Sequence, residues 1–239
     1  MRLAWGMELI QLRPIGRLET PYRDKFGVPR QAGLAPSVRG RLVLEAEFRR
    51  EEALRGIEEC SHLWIVFLFD GVREEEVRLS VRPPRLGGNE KLGVFATRSP
   101  FRPNRIGISA CRFHGFDREA EDGPALVLSG MDLMDGTTVL DVKPYLPYAD
   151  LIPGAWSRLA PEAPERLPVR VAEEASTAFS EIAEEQQVVI LETLSLDARP
   201  AFHEKQERTY FLRIFDFDVA WEVRNSECVL CGIRNMSER

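Results

Sequence analysis

The chain has 239 residues, of which 44% are hydrophobic and 29% charged, so it can bury a proper core and is not a wholly disordered protein. Its apolar runs are too short for a transmembrane helix, its first residues do not resemble a secretory signal, and four cysteines are too few for a disulfide framework. We therefore expect a cytoplasmic protein. The 32 basic and 38 acidic residues give a net charge of −6, which argues against a generally basic nucleic-acid binder.

The first 150 residues are dominated by short strand-like segments separated by turn residues. The predicted strands cover residues 8–12, 15–18, 40–47, 63–69, 93–97, 106–113 and 125–131. Segment 63–69 is continuously apolar, which is typical of a strand covered on both faces. One short helix is predicted over residues 51–60. Many strands with few helices between them favour a closed or strongly curved sheet over a doubly wound one.

A proline-rich linker separates this part from the rest of the chain. Five prolines fall between positions 147 and 168, too many for regular structure. Beyond them, residues 172–194 predict two helices, and segments 210–221 and 228–233 predict a terminal strand pair. The chain is thus expected to contain three parts: a mainly β domain over 1–152, a linker over 153–170 and a small α+β domain over 171–239.

Charge is distributed unevenly between these parts. Residues 162–239 carry 9 basic and 16 acidic residues, whereas residues 1–161 carry 23 and 22. Two segments are rich in arginine: residues 13–49 hold 8 basic and 4 acidic residues, and residues 85–105 hold 5 basic residues and one acidic residue. Such segments on a neutral domain indicate local binding of a polyanion, although solvated surface loops explain the pattern equally well.

The common signatures of nucleotide, metal and hydrolase sites are missing from the sequence. It has neither a G-x-G-x-x-G fingerprint nor a P-loop, and no serine lies in a G-x-S-x-G elbow. Cys228-x-x-Cys231 lacks a second pair at zinc-binding spacing, and the three histidines are not spaced as metal ligands. We therefore expect no metal.

Three loops instead have the composition of a ligand site. The first, Lys25-Phe-Gly-Val-Pro-Arg-Gln, carries two side chains with several donors each. The second, Ala96-Thr-Arg-Ser-Pro-Phe-Arg-Pro-Asn-Arg, holds three arginines on a segment that two prolines stiffen, which lowers the entropy cost of binding. The third, Met131-Asp-Leu-Met-Asp-Gly-Thr-Thr, carries Asp132 and Asp135 next to an Asp-Gly pair that is also typical of a simple hairpin turn.

Long motifs spread over nearly the whole chain form a recognisable set: Ile15-Gly, Thr20-Pro-Tyr, Lys25-Phe-Gly-Val-Pro-Arg-Gln, Ser61-His-Leu-Trp, Val81-Arg-Pro-Pro-Arg-Leu-Gly-Gly-Asn, Gly93-Val-Phe-Ala-Thr-Arg-Ser-Pro-Phe-Arg-Pro-Asn, Asp132-Leu-Met-Asp-Gly-Thr, Asp141-Val-Lys-Pro-Tyr-Leu-Pro, Asp197-Ala-Arg-Pro-Ala-Phe and Asp216-Phe-Asp-Val-Ala-Trp. Together they resemble the TrmO (YaeB, TsaA-like) family of tRNA methyltransferases. The resemblance implies S-adenosylmethionine-dependent methylation of the N6 nitrogen of N6-threonylcarbamoyladenosine, the nucleoside beside the anticodon at tRNA position 37. It also implies a single-sheeted β-barrel and a homodimer.

The same resemblance implies which residues form the site. It assigns cofactor binding to Pro29, Arg30, Gln31, Asp70, Gly71, Arg98, Ile108, Asp135, Gly136, Thr137 and Thr138. Two positions depart from the family pattern: Asp70-Gly71 replaces a dipeptide that often contains histidine, and Arg105 replaces a common proline. The resemblance also implies that the small α+β domain contacts tRNA.

Contact with the anticodon loop is expected from arginines, because guanidinium groups pair bidentately with phosphates and carboxylates. The candidates are Arg102, Arg105 and Arg199, with Phe202 and Tyr210 as a stacking surface near the last of them. For Arg199, a structural pair with Asp197 is an equally good interpretation.

Methylation of N6 requires loss of a proton, which a carboxylate within hydrogen-bond reach can take. Asp135 is the first candidate base and Asp132 the second, although Asp135 suits cofactor binding or turn formation equally well. Two other functions fit the sequence: a non-catalytic module that binds tRNA or S-adenosylmethionine on the same fold, and a methyltransferase for a small molecule or protein. The acidic second domain is compatible with the methyltransferase for a small molecule or protein, whereas the arginine-rich loops argue against it.

Overall fold

The computed structural model describes residues 10–83, 90–120, 123–199 and 208–237. The strands in these ranges are β1 (Gly16–Glu19), β2 (Arg39–Leu44), β3 (His62–Leu68), β4 (Ser80–Val81), β5 (Leu92–Gly93), β6 (Ile106–Asp117), β7 (Ala125–Ser129), β8 (Thr138–Pro144), β9 (Val169–Val171), β10 (Tyr210–Ile214), β11 (Phe217–Arg224) and β12 (Glu227–Asn235). The α-helices in these ranges are α1 (Glu51–Leu54), α2 (Pro147–Asp150), α3 (Glu173–Ser180) and α4 (Glu184–Ser195).

Six strands close into one antiparallel barrel in the order β1-β2-β7-β6-β3-β8. Its interior is filled by alternating side chains, such as Leu63, Ile65 and Phe67 of β3. The outward-facing Trp64 and Val66 are only half-buried, so the prediction that this strand is covered on both faces is wrong. The predicted fold class, a mainly β chain with a single-sheeted barrel, is confirmed.

The C-terminal part forms a second sheet in the order β10-β11-β12-β9, in which β9 and β12 are parallel. The two helices predicted over residues 172–194 are present as α3 and α4. The predicted terminal strand pair is present in part: β11 pairs with β12, but residues 210–221 form two strands joined by a hairpin turn and not one. Phe215 there takes the left-handed conformation with φ of 53°, and Ile214 pairs with Phe217 across it. The division of the chain at residues 152 and 170 stays a prediction.

Three local predictions differ from the structure. The predicted strand over 93–97 ends at Gly93 and continues as a 3₁₀ turn, since both the backbone N–H and the hydroxyl of Thr97 donate to the Val94 carbonyl. The helix predicted over 51–60 is interrupted at Gly56, whose φ is 86°. The strand predicted over 8–12 lies partly outside the described residues, and its described part, residues 10–12, is irregular.

The barrel and the C-terminal sheet have separate hydrophobic cores, and the segment between β1 and β2 packs in the second of them. The buried side chains of Tyr22, Ala35 and Val38, from the segment between β1 and β2, pack in the hydrophobic cluster of the C-terminal sheet and its helices. The Tyr22 hydroxyl is 3.3 Å from Thr193 Oγ1, and the Phe215 N–H donates to the Pro21 carbonyl at 2.7 Å. The segment between β1 and β2 is therefore held against the C-terminal sheet as it leaves the barrel.

Two kinds of feature are missing from the part of the chain that the structure describes. No helix there combines the length and apolar character needed to cross a bilayer. Histidine, cysteine, aspartate and glutamate side chains also do not gather there in groups of three that could hold a metal ion.

Candidate functional site

A cavity of about 880 Å³ opens at the end of the barrel where β3 ends and β6 begins. Its walls come from segments far apart in the sequence: residues 25–31, residues 67–72, residues 97–102 and residues 132–137. Phe67, Phe69, Val72 and Ile106 are among the residues that supply its apolar surface. The barrel thus brings together the three loops whose composition indicated a ligand site.

The predicted cofactor residues line this cavity with one exception. Those that line it are Pro29, Arg30, Gln31, Asp70, Gly71, Arg98, Ile108, Asp135, Gly136 and Thr137. The exception, Thr138, is buried at the start of β8, where its hydroxyl accepts a hydrogen bond from Arg17 Nη1 at 3.0 Å. Its N–H donates to Asp70 Oδ2 at 2.9 Å. Asp70, one of the two departures from the family pattern, therefore joins the end of β3 to the start of β8.

The loop over residues 25–31 is fixed from two sides. Arg98 Nη1 donates to Gln31 Oε1 at 2.6 Å, which links this loop to the loop over 97–102. Arg30 Nη2 donates to the Arg199 carbonyl at 2.9 Å, which links it to the C-terminal part. The two guanidinium groups lie on the cavity wall, so these contacts place positive charge there before a ligand arrives.

Two arginines predicted to contact RNA make hydrogen bonds to the backbone. Arg102 Nη1 donates to the Thr97 carbonyl at 3.1 Å, and the Arg105 guanidinium donates to the Val72 carbonyl. Arg105 has a φ of 51°, a conformation that a proline at this position could not adopt. Arg102 lines the cavity, whereas Arg105 does not. Both side chains stabilise the loop that carries Arg98.

The two candidate bases lie in the same turn but have different neighbours. Asp135 Oδ1 accepts from the Thr20 N–H at 3.0 Å, and its Oδ2 accepts from Arg23 Nη1 at 2.6 Å. Asp132 Oδ1 accepts from the buried Ser109 hydroxyl. Burial raises the pKa of Asp132, while the Ser109 hydrogen bond, backbone N–H groups and the charge of Arg98 act in the opposite direction.

Arg199 lies inside the protein at the junction of the two sheets. Its side chain is 9% exposed and forms two hydrogen bonds with the Asp197 carboxylate, at 2.7 and 2.8 Å. Tyr210 is buried in the C-terminal core, where its ring stacks on Trp221 at 5.0 Å, so it does not form a surface for RNA. Phe202 lies outside the described residues. Contact between Arg199 and RNA would require this junction to rearrange.

Sequence reasoning missed Ser109 and Arg23, the partners of the two aspartates. A signal for Ser109 was present: in the alternating strand β6, Ser109 shares the inward face with Cys111 and Phe113, and a polar residue on that face needs a partner. Arg23 lies 112 positions from Asp135, and nothing local in the sequence indicates their pairing.

Comparison with known proteins covers both parts of the chain. Residues 17–151 match the family model of the tRNA-methyltransferase O N-terminal domain, and residues 164–236 match that of the TrmO C-terminal domain. The tRNA (adenine(37)-N6)-methyltransferase of Escherichia coli K12 is 41% identical over 233 residues, which span 92% of this chain and 96% of the relative.

A sequence and a solved structure from Pseudomonas aeruginosa are similar over comparable lengths. RcsF, whose name describes an S-adenosylmethionine-dependent methyltransferase, is 44% identical over 87% of this chain and 90% of its own length. The crystal structure of TrmO superposes with a TM-score of 0.78 at 35% identity, covering 97% of this chain and 99% of that chain. On the family models and these relatives, the chain belongs to the TrmO family of tRNA methyltransferases.

Proposed function

We propose that this protein transfers a methyl group from S-adenosylmethionine to N6 of N6-threonylcarbamoyladenosine at position 37 of tRNA. The observation that carries the proposal is the cavity at the barrel end, where three loops distant in sequence contribute the residues that the family uses for its cofactor. The E. coli and P. aeruginosa relatives, named for tRNA adenine-37 methylation and for S-adenosylmethionine, support the same reaction.

The residues of the cavity fit S-adenosylmethionine chemically. Arg30 and Arg98 suit its carboxylate, the carboxylate of Asp135 suits its ammonium or ribose hydroxyls, and Phe67 and its apolar neighbours suit the adenine. A Cβ atom placed on Gly71 or on Gly136 would meet nothing within 4 Å, so the backbone there is open to a ligand. A volume of about 880 Å³ is also within the usual range for such ligands.

When bound, S-adenosylmethionine supplies an electrophilic methyl group on a sulfonium centre. The acceptor N6 is a weak nucleophile, because its lone pair is delocalised into the purine and the carbonyl. As N6 gains the methyl group it must lose its proton, so the protein has to align the nitrogen and provide a base. The hydrogen bonds that fix the loops over 25–31 and 97–102 contribute the alignment.

Asp132 is the base that the contacts favour. It lines the cavity, and the Ser109 hydroxyl orients its carboxylate. Burial raises the pKa of Asp132, which strengthens it as a proton acceptor. Asp135 uses both oxygens to hold Thr20 and Arg23, which suits a role in shaping the cofactor wall.

Transfer of a labelled methyl group distinguishes this reaction from the alternatives. We expect label on tRNA that carries N6-threonylcarbamoyladenosine and none on the same tRNA with unmodified adenosine 37. Binding of tRNA or S-adenosylmethionine without any transfer would instead favour the non-catalytic module.

The proposal extends to a cytoplasmic homodimer. The cytoplasm is the compartment that holds the tRNA substrate. Exposed apolar side chains after β8 offer a surface for a second subunit. After β8, Leu151, Ile152 and Trp156 are 66%, 67% and 85% exposed, an unusual concentration of large apolar side chains on a surface. Light scattering at micromolar concentration should report a dimer, and Trp156→Glu should shift it towards monomer. A fully active wild-type monomer would contradict the dimer.

A further inference from the structure

A second cavity, of about 620 Å³, adjoins the cavity at the barrel end, which we call the cofactor cavity. The two share the wall formed by residues 30–31 and 97–101. The outer side of the second cavity is formed by the β4–β5 strand pair and its flanks, together with Leu159 and Ala160. We call it the basic groove, because its lining includes the cations Arg30, Arg78, Arg82, Lys91 and Arg98.

The charge of the basic groove has one sign. Among its described lining residues there is no aspartate or glutamate. The acid next to Lys91 in the sequence, Glu90, forms an ion pair with Arg158. Arg82 and Lys91 are exposed, and neither forms an ion pair with a residue that the structure describes. Five cations on one concave surface, with no carboxylate among its described lining residues, create a local positive potential that attracts a polyanion.

An aromatic ring accompanies these cations. The Arg78 guanidinium lies over the Phe101 ring at 5.2 Å, and both residues line the groove. Outside this lining, Leu79 and Phe95 are 76% and 77% exposed, and the Val94 N–H donates to the Leu79 carbonyl at 3.0 Å, which joins their two segments. Cations next to aromatic rings are a common feature of surfaces that hold single-stranded nucleic acid, through phosphate pairing and base stacking.

We propose that the basic groove binds the phosphate backbone of the RNA next to the target nucleoside, with Arg82 and Lys91 as its principal phosphate contacts. This inference rests on the proposed function. The shared wall explains the arrangement: a base that enters the cofactor cavity leaves its adjoining phosphates at the mouth, where the groove begins. Arg102 and Arg105, the arginines that the sequence favoured, are instead hydrogen-bonded to backbone carbonyls.

The double variant Arg82→Ala/Lys91→Ala tests this assignment against a control with the same charge change. The control is Arg50→Ala/Arg55→Ala, whose side chains are 68% and 74% exposed on either side of α1. Both residues precede β3 in the chain, whereas the cavities lie at the far end of β3. The seven extended residues of that strand span about 20 Å. Binding of tRNA is measured across a salt series for both variants and the wild type.

We expect tRNA binding by Arg82→Ala/Lys91→Ala to weaken by about 10-fold or more at physiological salt, as for the loss of charged hydrogen bonds. The slope of log affinity against log salt should become shallower by about 1.4 to 1.8, since each phosphate contact contributes about 0.7 to 0.9. The control should keep the wild-type slope, and S-adenosylmethionine affinity measured by calorimetry should be equal in all three proteins.

Two results would overturn the assignment: an affinity and slope equal to those of the control, or a change of oligomeric state in Arg82→Ala/Lys91→Ala, which would make the groove a subunit contact. Failure of the proposed function is distinguishable from both. A wild type that transfers no methyl group to tRNA, while Arg82→Ala/Lys91→Ala still weakens tRNA binding, would refute the methyltransferase and retain the groove.

Discussion

Asp132 and Asp135 lie three residues apart but have different environments. Asp135 is held by an N–H and a guanidinium and joins three segments of the chain, since its partner Arg23 also lies 3.6 Å from Asp216. Asp132 receives a hydroxyl hydrogen bond and is desolvated. A proton acceptor needs the second environment, because desolvation raises its affinity for a proton.

We therefore predict that Asp132→Asn lowers kcat by about 100-fold or more, within the usual contribution of a general base. Asp135→Asn should instead weaken cofactor binding and lower the Tm, because it removes the negative charge that pairs with Arg23. Steady-state kinetics, calorimetry and thermal denaturation of both variants separate these effects. A larger loss of kcat in Asp135→Asn than in Asp132→Asn would assign the base to Asp135.

The raised pKa of Asp132 also determines how this residue makes the stability of the protein depend on pH. Its folded-state pKa lies above the 3.8 of an ordinary aspartate, so ionisation costs folding free energy as pH rises through the folded-state value. Asp132→Asn removes that cost. We expect the Tm of Asp132→Asn to equal or exceed that of the wild type at pH 8, and the difference to decrease as the pH is lowered towards 4. A Tm deficit of Asp132→Asn that grows with pH would contradict this environment.

Arg98 lies on the wall shared by both cavities and holds Gln31 through a hydrogen bond of 2.6 Å. We predict that Arg98→Ala weakens S-adenosylmethionine binding by about 10-fold or more, because a charged hydrogen-bond donor is lost, while the fold is retained. Calorimetry measures the affinity, and circular dichroism checks the fold. Unchanged affinity together with unchanged turnover would remove Arg98 from the site.

At the scale of the elements, alternation of apolar and polar residues predicted β2, a continuous apolar run predicted β3, and the composition of residues 172–194 predicted α3 and α4. The turn at Phe215 could not be predicted, because an aromatic residue carries no signal for φ of 53°. The contacts that organise the site were equally hidden. The hydrogen bond from Thr138 to Asp70 joins residues 68 positions apart, which local patterns do not encode.

The segment between β1 and β2 provides a prediction about cooperativity. Because Tyr22, Ala35 and Val38 pack in the C-terminal core, unfolding of that core exposes part of the barrel's own chain. We expect a single calorimetric transition for the whole protein. A truncation after Leu159 should be less stable and prone to aggregate, since these three side chains lose their cover. Two separated transitions, or a truncated barrel as stable as the whole protein, would contradict this coupling.

Over the whole molecule, charge and function are divided between the two parts. Residues 162–239 are acidic, while the cofactor cavity and the basic groove lie mainly on residues from the first part. We therefore expect attraction to RNA to be local and dependent on salt. The C-terminal part contacts the wall of the cofactor cavity through the hydrogen bond from Arg30 to the Arg199 carbonyl. The chain's net charge of −6 disfavours nonspecific binding elsewhere on its surface.

Mass spectrometry of tRNA nucleosides after incubation with the protein and S-adenosylmethionine is the direct test of the proposed reaction. We predict that N6-threonylcarbamoyladenosine is converted to a product one methyl group heavier, with the methyl group on N6, and that Asp132→Asn gives little of it. The absence of any methylated N6-threonylcarbamoyladenosine, from tRNA that carries the nucleoside and a protein that binds the cofactor, would contradict it.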